Sequence, residues 1–347
     1  MNDDVPLPLG VERGIVSNPF EDLPTVPDAE QLVDKAFSRA ARTGRAKTGV
    51  QAQYAMLDVT SHIVTDNLET VSRQWPDLDA IHPFYRTLAD AIVGVDDLKA
   101  HLGSVGWAAR QVDEIVSEHR SRFRGDPAAA KRQRQQAFAR IASVVDEVAD
   151  DLAALEAARR DLVTIPGIDP TAPTIVVAGY PNVGKSSFLN AVTRASGRID
   201  SYPFTTTRIA IGHLDHRHIR YQIIDTPGLL DRPDTERNAV ERQTIAALEH
   251  LADCVLVIID ASETCGYPLE EQYALRDELR DRFASAGIPV VTANNKADLE
   301  TDADADFSMS VTEGTGIDTV LEASIEAIDY EPVLPFESSD ADRSRSM

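Results

Sequence analysis

The segment Gly179-Tyr-Pro-Asn182-Val183-Gly184-Lys185-Ser186 follows directly on the apolar, β-branched run Thr174-Ile-Val-Val-Ala178. Such a run reads as a strand buried on both faces of a parallel sheet. Ser187-Phe-Leu-Asn-Ala-Val192 then reads as the opening of a helix. A strand, a glycine-rich loop and a helix in this order constrain the fold to an α/β architecture. The glycines let the backbone wrap round phosphates with its N–H groups inward, and the helix N-terminus adds a dipole that favours anions. In the pattern G-x-x-x-x-G-K-S the lysine reaches the β- and γ-phosphates and the serine holds Mg²⁺. Asn182, Val183, Gly184, Lys185, Ser186 and Ser187 are therefore the expected phosphate-side residues. A chance glycine-rich turn would not come with both flanking elements.

Three further motifs follow in order. Arg220-Tyr-Gln-Ile-Ile-Asp225 reads as a strand that ends in Asp225-Thr-Pro-Gly228. Asp225 is placed to bind Mg²⁺ through water, and the Gly228 N–H to meet a γ-phosphate. Asn295-Lys296-Ala-Asp298 follows the strand-like Ile288–Ala293. The Asp298 carboxylate would accept two hydrogen bonds, from guanine N1–H and the 2-amino group. Adenine offers neither donor, and a two-bond contact of this kind discriminates by about 1–3 kcal/mol. Asn295 and the Lys296 stem would pack against the base and the phosphate loop. Ser310-Val311, after Phe307-Ser-Met309, would supply a backbone N–H to guanine O6. Between the phosphate loop and Asp225 lies Tyr202-Pro-Phe-Thr205-Thr206-Thr207. A threonine there would bind Mg²⁺ and order a loop with the γ-phosphate; the residues alone do not choose among the three.

At this point the chain resembles a known family. Gly-Tyr-Pro-Asn-Val-Gly-Lys-Ser-Ser, Tyr-Pro-Phe-Thr-Thr and Asp-Thr-Pro-Gly-Leu-Leu-Asp-Arg-Pro together look like the Obg-related GTPases. Asn18-Pro-Phe-Glu-Asp-Leu-Pro-Thr-Val-Pro27, followed by Asp34-Lys-Ala-Phe37, resembles the start of the nucleolar GTP-binding protein 1 family in its archaeal form. The resemblance covers roughly residues 14–330. It implies Thr206 as the Mg²⁺-binding threonine, beside Ser186 and Asp225, and implies a role in assembling the large ribosomal subunit. With Lys185 and Gly228 read from their motifs, the expected catalytic set is Lys185, Thr206 and Gly228. Many GTPases place a glutamine just after Asp-x-x-Gly to orient the attacking water. Here Leu229 and Leu230 stand there, so intrinsic hydrolysis is expected to be slow or to use another group. In related GTPases an asparagine at the position of Asn182 helps to hold K⁺, which makes K⁺ a second expected cofactor beside Mg²⁺. The alternative for Asn182 is that it only shapes the loop.

Composition sets the surroundings. The 57 acidic and 34 basic residues give a net charge of −23, and lysine (6) is scarce beside arginine (28). An acidic, lysine-poor surface suits a salt-rich cytoplasm, so a haloarchaeal origin is expected. Two basic runs interrupt the acidity: Lys35, Arg39, Arg42, Arg45 and Lys47 with no acid among them, and Arg120, Arg122, Arg124, Lys131, Arg132, Arg134 and Arg140 against Asp126 alone. They are candidate phosphate contacts for ribosomal RNA. The plainer reading is a solvated helix face that pairs with neighbouring acids.

The fold class expected is an N-terminal all-α helical bundle joined to an α/β P-loop GTPase domain with a mostly parallel, doubly wound sheet. Residues 1–27 form a proline-rich extended segment, 28–165 the bundle and candidate RNA-docking domain, 171–330 the GTPase domain, and 331–347 an acidic, disordered tail. Leu57, Ser61, Val64, Leu68, Val71 and Trp75 mark one helix stripe. Phe138, Ile141, Val145, Val148, Leu152, Leu155, Arg159 and Leu162 keep an alternating 3–4 spacing, which predicts a single long helix opened by Asp126-Pro127. Ala210–Asp225 reads as a hairpin with one antiparallel edge strand. His213, His216 and His218 flank its tip and lack the converging ligands of a metal site. Cys254 and Cys265 read as reduced thiols in a cytoplasmic protein. No signal-like start and no membrane-length apolar run are present. Two other readings fit the motifs: a switch for a protein partner with no RNA contact, and a scaffold that holds GTP with negligible turnover.

Overall fold

A computed structural model describes residues 18–123, 125–165, 167–193, 199–204, 207–226 and 229–330. Thr205, Thr206, Gly228, Arg124, most of the N-terminal segment and the C-terminal tail lie outside these residues. Six helices come first: α1 (Ala29–Arg45), α2 (Gly49–Arg73), α3 (Pro83–Val93), α4 (Val95–Ser121), α5 (Pro127–Glu147) and α6 (Ala149–Leu162). Strands and helices then alternate: β1 (Thr174–Ala178), α7 (Lys185–Thr193), β2 (Ile199–Phe204), β3 (Thr207–His216), β4 (Ile219–Asp225), α8 (Ala239–Leu248), β5 (Cys254–Ile259), α9 (Leu269–Ser285), β6 (Val290–Asn294), β7 (Phe307–Ser308) and α10 (Ile317–Glu326).

In the bundle, α2 is the central helix. It packs on α1, α4 and α5 and buries Leu57, Val64, Leu68 and Val71. Ser61, in the same stripe, is only half-buried. Asp126 caps α5, accepting from the Ala128 and Ala129 N–H groups at 2.9 and 3.1 Å, with Pro127 in the first turn. The single long helix expected over residues 127–162 is two helices, broken at Val148, whose φ of −105° and ψ of 15° leave the helical region. Val148 N–H bonds Val145 O at 3.3 Å, a tightened last turn, while Val148 O accepts from Leu152 N at 3.0 Å and starts α6. The break costs one residue and keeps Ile141, Val145, Val148, Leu152 and Leu155 buried on one side. That is why the apolar spacing runs through it unmarked.

The sheet has seven strands in the order β2-β3-β4-β1-β5-β6-β7. Pairings from β4 through β7 are parallel; β2–β3 and β3–β4 are antiparallel. The expected hairpin is β3–β4, closed by Arg217 and His218 with φ of +49° and +69°, the two positive values of a type I′ turn. Its outer strand β3 is not the edge, as the sequence had it. β2 pairs outside it from Ile199↔Gly212 to Phe204↔Thr207, so two antiparallel strands finish this side. β1 and β5 are buried at every residue, which explains runs such as Cys254-Val-Leu-Val-Ile-Ile259 without polar alternation.

The two parts share a seam. α3 packs on α8, and their buried residues include Phe84, Leu88, Ile245 and Leu248. Asn18 is buried and donates to Leu162 O and Ile165 O, both at 2.9 Å, so the described end of the proline-rich segment closes over the linker. The Tyr85 hydroxyl donates to Ile168 O at 2.9 Å and accepts from Ile168 N–H at 2.8 Å. Gln222 of β4 makes the matching pair with Asp169, at 2.7 and 3.0 Å. No helix among the described residues is long and apolar enough to cross a membrane. Removing the Tyr85 hydroxyl strands both polar groups of Ile168 in a buried seam. Tyr85→Phe is expected to lower stability by about 1–3 kcal/mol, read as a lower urea midpoint with an unchanged far-ultraviolet spectrum.

Candidate nucleotide site

The loop after β1 is shaped by two glycines at which a Cβ would collide with its neighbours and by an asparagine in a left-handed conformation. Gly179 (φ +131°) donates its N–H to Leu230 O at 2.9 Å, and a Cβ there would lie 2.2 Å from Ile258 O. Gly184 (φ +108°) would place a Cβ 2.1 Å from Asn295 Nδ2. Asn182 has φ +64°, a left-handed conformation that asparagine tolerates better than most residues. Lys185 opens α7 and is buried, its ammonium donating to Gly179 O at 2.6 Å and Tyr180 O at 2.9 Å. Burial lowers its pKa against the opposing pull of Asp225 and Asp231. The ammonium thus lies over the glycine loop, held by neutral carbonyls that charged phosphate oxygens would outbid.

Asp225 ends β4 fully buried, and Ser186 Oγ donates to its Oδ2 at 2.5 Å. Its other oxygen, Oδ1, has no well-formed hydrogen bond among the described residues. Burial raises the carboxyl pKa, opposed by the Ser186 bond and the Lys185 charge. A buried carboxylate with an open oxygen beside a hydroxyl is an all-oxygen donor set, which fits a hard divalent cation such as Mg²⁺. Ser186 and Asp225, two of the three expected metal ligands, therefore meet; Thr206 and the γ-phosphate contact Gly228 are outside the described residues. Leu229 and Leu230 are 1% and 0% exposed. They are core residues, so the position after Asp-x-x-Gly serves packing. Beyond them Arg237, its side chain wholly buried, bonds Arg232 O and pairs with Glu278 at 3.2 Å and Asp234 at 3.5 Å, and Asn238 and Glu241 form a reciprocal cap on α8.

The loops after β6 and β7 meet the same edge. Asn295 donates to Val183 O at 2.8 Å and accepts from Val311 N–H at 3.1 Å, joining the phosphate loop to the loop after β7. Ser310 Oγ donates to Asp298 Oδ1 at 2.5 Å, which orients that carboxylate. Ser310 N–H bonds Thr315 O at 2.9 Å. Both amides expected to reach a base carbonyl are thus engaged within the protein, whereas the next one, that of Thr312, makes no bond among the described residues. Lys296 Nζ donates to Asp260 Oδ2 at 2.7 Å and Thr264 Oγ1 at 2.9 Å. Asp260 and Thr264, which hold Lys296, were not singled out by sequence reasoning. Asp260 closes an apolar run and no motif spacing links it to Lys296. Ser187 is exposed on the first turn of α7.

A different surface gathers the basic runs. Phe37 of α1 stacks on Phe138 of α5 with ring centroids 4.6 Å apart, Arg134 bonds Gln53 of α2 at 2.8 Å, and a Cβ on Gly49 would lie 4.0 Å from Pro127. The C-terminus of α1 and the N-termini of α2 and α5 therefore share one end of the bundle, away from the linker. Arg39, Arg42, Lys47, Lys131 and Arg132 are exposed toward that end, and Lys35 is exposed on the N-terminal half of α1, with no ion pair among the described residues. Arg120 pairs with Asp58 at 3.2 Å, and Arg122 and Arg140 both with Glu118 at 2.6 Å. The second run thus divides: part pairs with local acids and part stays unneutralised.

Comparison with known proteins adds the following. Residues 20–169 match the NOG1 N-terminal helical domain, and residues 174–296 match a family described as 50S ribosome-binding GTPase. Nucleolar GTP-binding protein 1 of Drosophila melanogaster is 36% identical over 82% of this chain and 45% of its own length. An uncharacterised protein of Methanocaldococcus jannaschii is 36% identical over 82% of each chain. A solved Plasmodium falciparum structure titled as nucleolar GTP-binding protein 1 is 34% identical over 52% of this chain and 97% of its own, with a TM-score of 0.42. The chain spans about half the length of the eukaryotic relatives it matches. Since a side chain at 184 collides with Asn295, Gly184→Ala is expected to weaken GDP binding at least about tenfold, the loss of one charged-group contact, in a fluorescence titration with a chain that still unfolds cooperatively.

Proposed function

The chain belongs to the nucleolar GTP-binding protein 1 family and carries its GTPase domain, and from this we propose a GTP-binding, GTP-hydrolysing switch that acts in assembly of the large ribosomal subunit, in the cytoplasm. The observation that carries the nucleotide half is Asn295: one side chain ties the phosphate loop to the loop after β7, so phosphate and base contacts form one unit. The phosphate loop would cradle the phosphates with its amides and Lys185. Asp298, aligned by Ser310, would accept from guanine N1–H and the 2-amino group. Mg²⁺, when bound by Ser186 and Asp225, with Thr206 expected as the third ligand, neutralises charge on the transferring phosphoryl group. The Lys185 ammonium is buried at the phosphate loop, where a charge acts more strongly than in water.

With Leu229 and Leu230 sealed in the core, no side chain at those positions orients water. Slow intrinsic turnover follows, completed by a partner or by K⁺ at Asn182. Turnover in KCl is expected to exceed that in NaCl at matched ionic strength, by about tenfold or more, the effect of one added charge at the phosphates; Asn182→Ala should bring the two rates together. Equal rates in the wild-type protein would leave Asn182 a loop-shaping residue.

The bundle's far end supports the RNA half. α4, 27 residues long, places it on the order of 40 Å from the linker. Its unpaired lysines and arginines stand out on a chain of net charge −23. Arginine forks would hold phosphate where high salt weakens simple charge attraction. Replacing Arg39, Arg42, Lys47, Lys131 and Arg132 with glutamine is expected to abolish co-sedimentation with large-subunit precursors at high KCl, and wild-type binding to be stronger with a non-hydrolysable GTP analogue than with GDP. Unchanged binding by the variant would favour a protein partner, and no binding in either state would remove the ribosome from the reading.

A further inference from the structure

Asp260 lies just after β5, fully buried, and is the hub of a polar cluster with no assigned role. Oδ1 accepts from Ser262 N–H at 3.0 Å and Ser262 Oγ at 2.5 Å. Oδ2 accepts from Cys265 N–H at 2.8 Å, Thr264 Oγ1 at 3.1 Å and Lys296 Nζ at 2.7 Å. Gln272 of α9 pins the main chain beneath it, accepting from Asp260 N–H at 2.8 Å and donating to Asp260 O at 3.1 Å. Burial alone would raise the carboxyl pKa; the bonds from Lys296, Ser262 and Cys265 outweigh it, so the group is held ionised, below the usual range. Lys296 has φ +60°, a left-handed conformation unfavourable for a lysine. Its backbone is held by the flanking bonds Asn295 N–H to Ile259 O at 2.9 Å and Ala297 N–H to Met309 O at 3.1 Å and by Leu299 N–H to Lys296 O at 2.8 Å, while its ammonium is gripped by Asp260 and Thr264, both from the loop after β5.

We propose that Asp260 is a positioning residue for base recognition: by fixing Lys296 it presets the wall of the base pocket and the depth at which Asp298 meets the purine. This rests on the reading of Asp298 as the guanine contact. A free lysine stem has four rotatable bonds, and a stem that must lie along a base loses that freedom on binding. Tethering its tip beforehand moves the loss from the binding step to folding. Two neighbours complete the frame. Asn294 accepts from Ala261 N–H at 3.0 Å and donates to Glu300 O at 2.9 Å, so it locks the β6 loop to the β5 loop. Asn295 locks the same loop to the phosphate side. Asp260 thereby acts on the base through Lys296 and has no direct part in phosphate transfer.

Fluorescent GDP and ADP, and pyrophosphate as competitor, would be titrated against the full-length protein and against Asp260→Asn, Lys296→Met and the double variant. Asp260→Asn is expected to weaken GDP about ten- to a hundredfold, the range for one bond to a charged group, to narrow the GDP-over-ADP preference, and to leave pyrophosphate within about twofold. The double variant should bind GDP no worse than the weaker single one. A merely structural Asp260 would weaken GDP and pyrophosphate alike, or multiply with Lys296→Met, and either result overturns the proposal. If Asp260→Asn does not melt cooperatively, Thr264→Val on the exposed loop carries the test; a GDP-over-ADP preference equal to wild type in that variant also overturns it. Failure of the underlying reading is separate: Asp298→Asn would not shift preference from guanine toward xanthine, and the wild-type protein would not distinguish GDP from ADP.

Discussion

Parallel pairing of β1 between β4 and β5 is the constraint on which the rest of the structure depends. β1 is five residues long and buried throughout. Its register sets Val177 beside Asp225 and Ala178 beside Val257. Because the partners run the same way, their C-terminal ends reach one edge of the sheet, where α/β folds bind their ligands. Asp225, Asp260 and Asn295 all lie at or just past strand ends on that edge. Their order in the chain is set by strands and crossovers, and their proximity by register.

The edge is then bound together by polar contacts that would be costly to leave unmade. Asn295 spans from the phosphate loop to the loop after β7, Ser186 from α7 to Asp225, and Lys296 from the β6 loop to the β5 loop. Each adds a side-chain tie between segments far apart in the chain, beside backbone bonds such as Asn295 N–H to Ile259 O at 2.9 Å and Ala297 N–H to Met309 O at 3.1 Å. The edge that carries Asn295, Lys296 and Asp298 is thus ordered within the chain itself, while Asp225 Oδ1 is a buried acceptor with no well-formed hydrogen bond among the described residues.

The helical bundle meets this domain through α3 on α8 and through the linker bonds of Tyr85, Asn18 and Gln222. α8 begins at Asn238, shortly after Asp225 and the buried leucines, with Arg237 wholly enclosed at its start. The helix that continues from the expected γ-phosphate-sensing segment is thus the one on which the bundle rests. The unpaired basic residues toward the far end of the bundle are separated from this seam by much of the length of α2 and α4.

The strands β1, β4 and β5, the cap at Asp126, the phosphate loop and the pairing of Ser186 with Asp225 were legible in the sequence. In each of them the residue types and their local spacing carry the physics: β-branched runs, a short side chain that caps, glycines at positive φ. The break at Val148 was not, because one residue out of the helix leaves the apolar stripe intact. Nor was β2, since pairing outside a hairpin depends on which neighbour arrives, not on a local pattern. Leu229 and Leu230 read in sequence as a departure in catalytic chemistry; their burial shows that packing claims them. Motif and periodicity by themselves determined that this chain has a helical bundle, a parallel sheet and a glycine loop for phosphate. Only the tertiary structure decided which basic residues remain unpaired and that Asp260 grips Lys296, because both depend on side chains brought together from segments far apart in the chain.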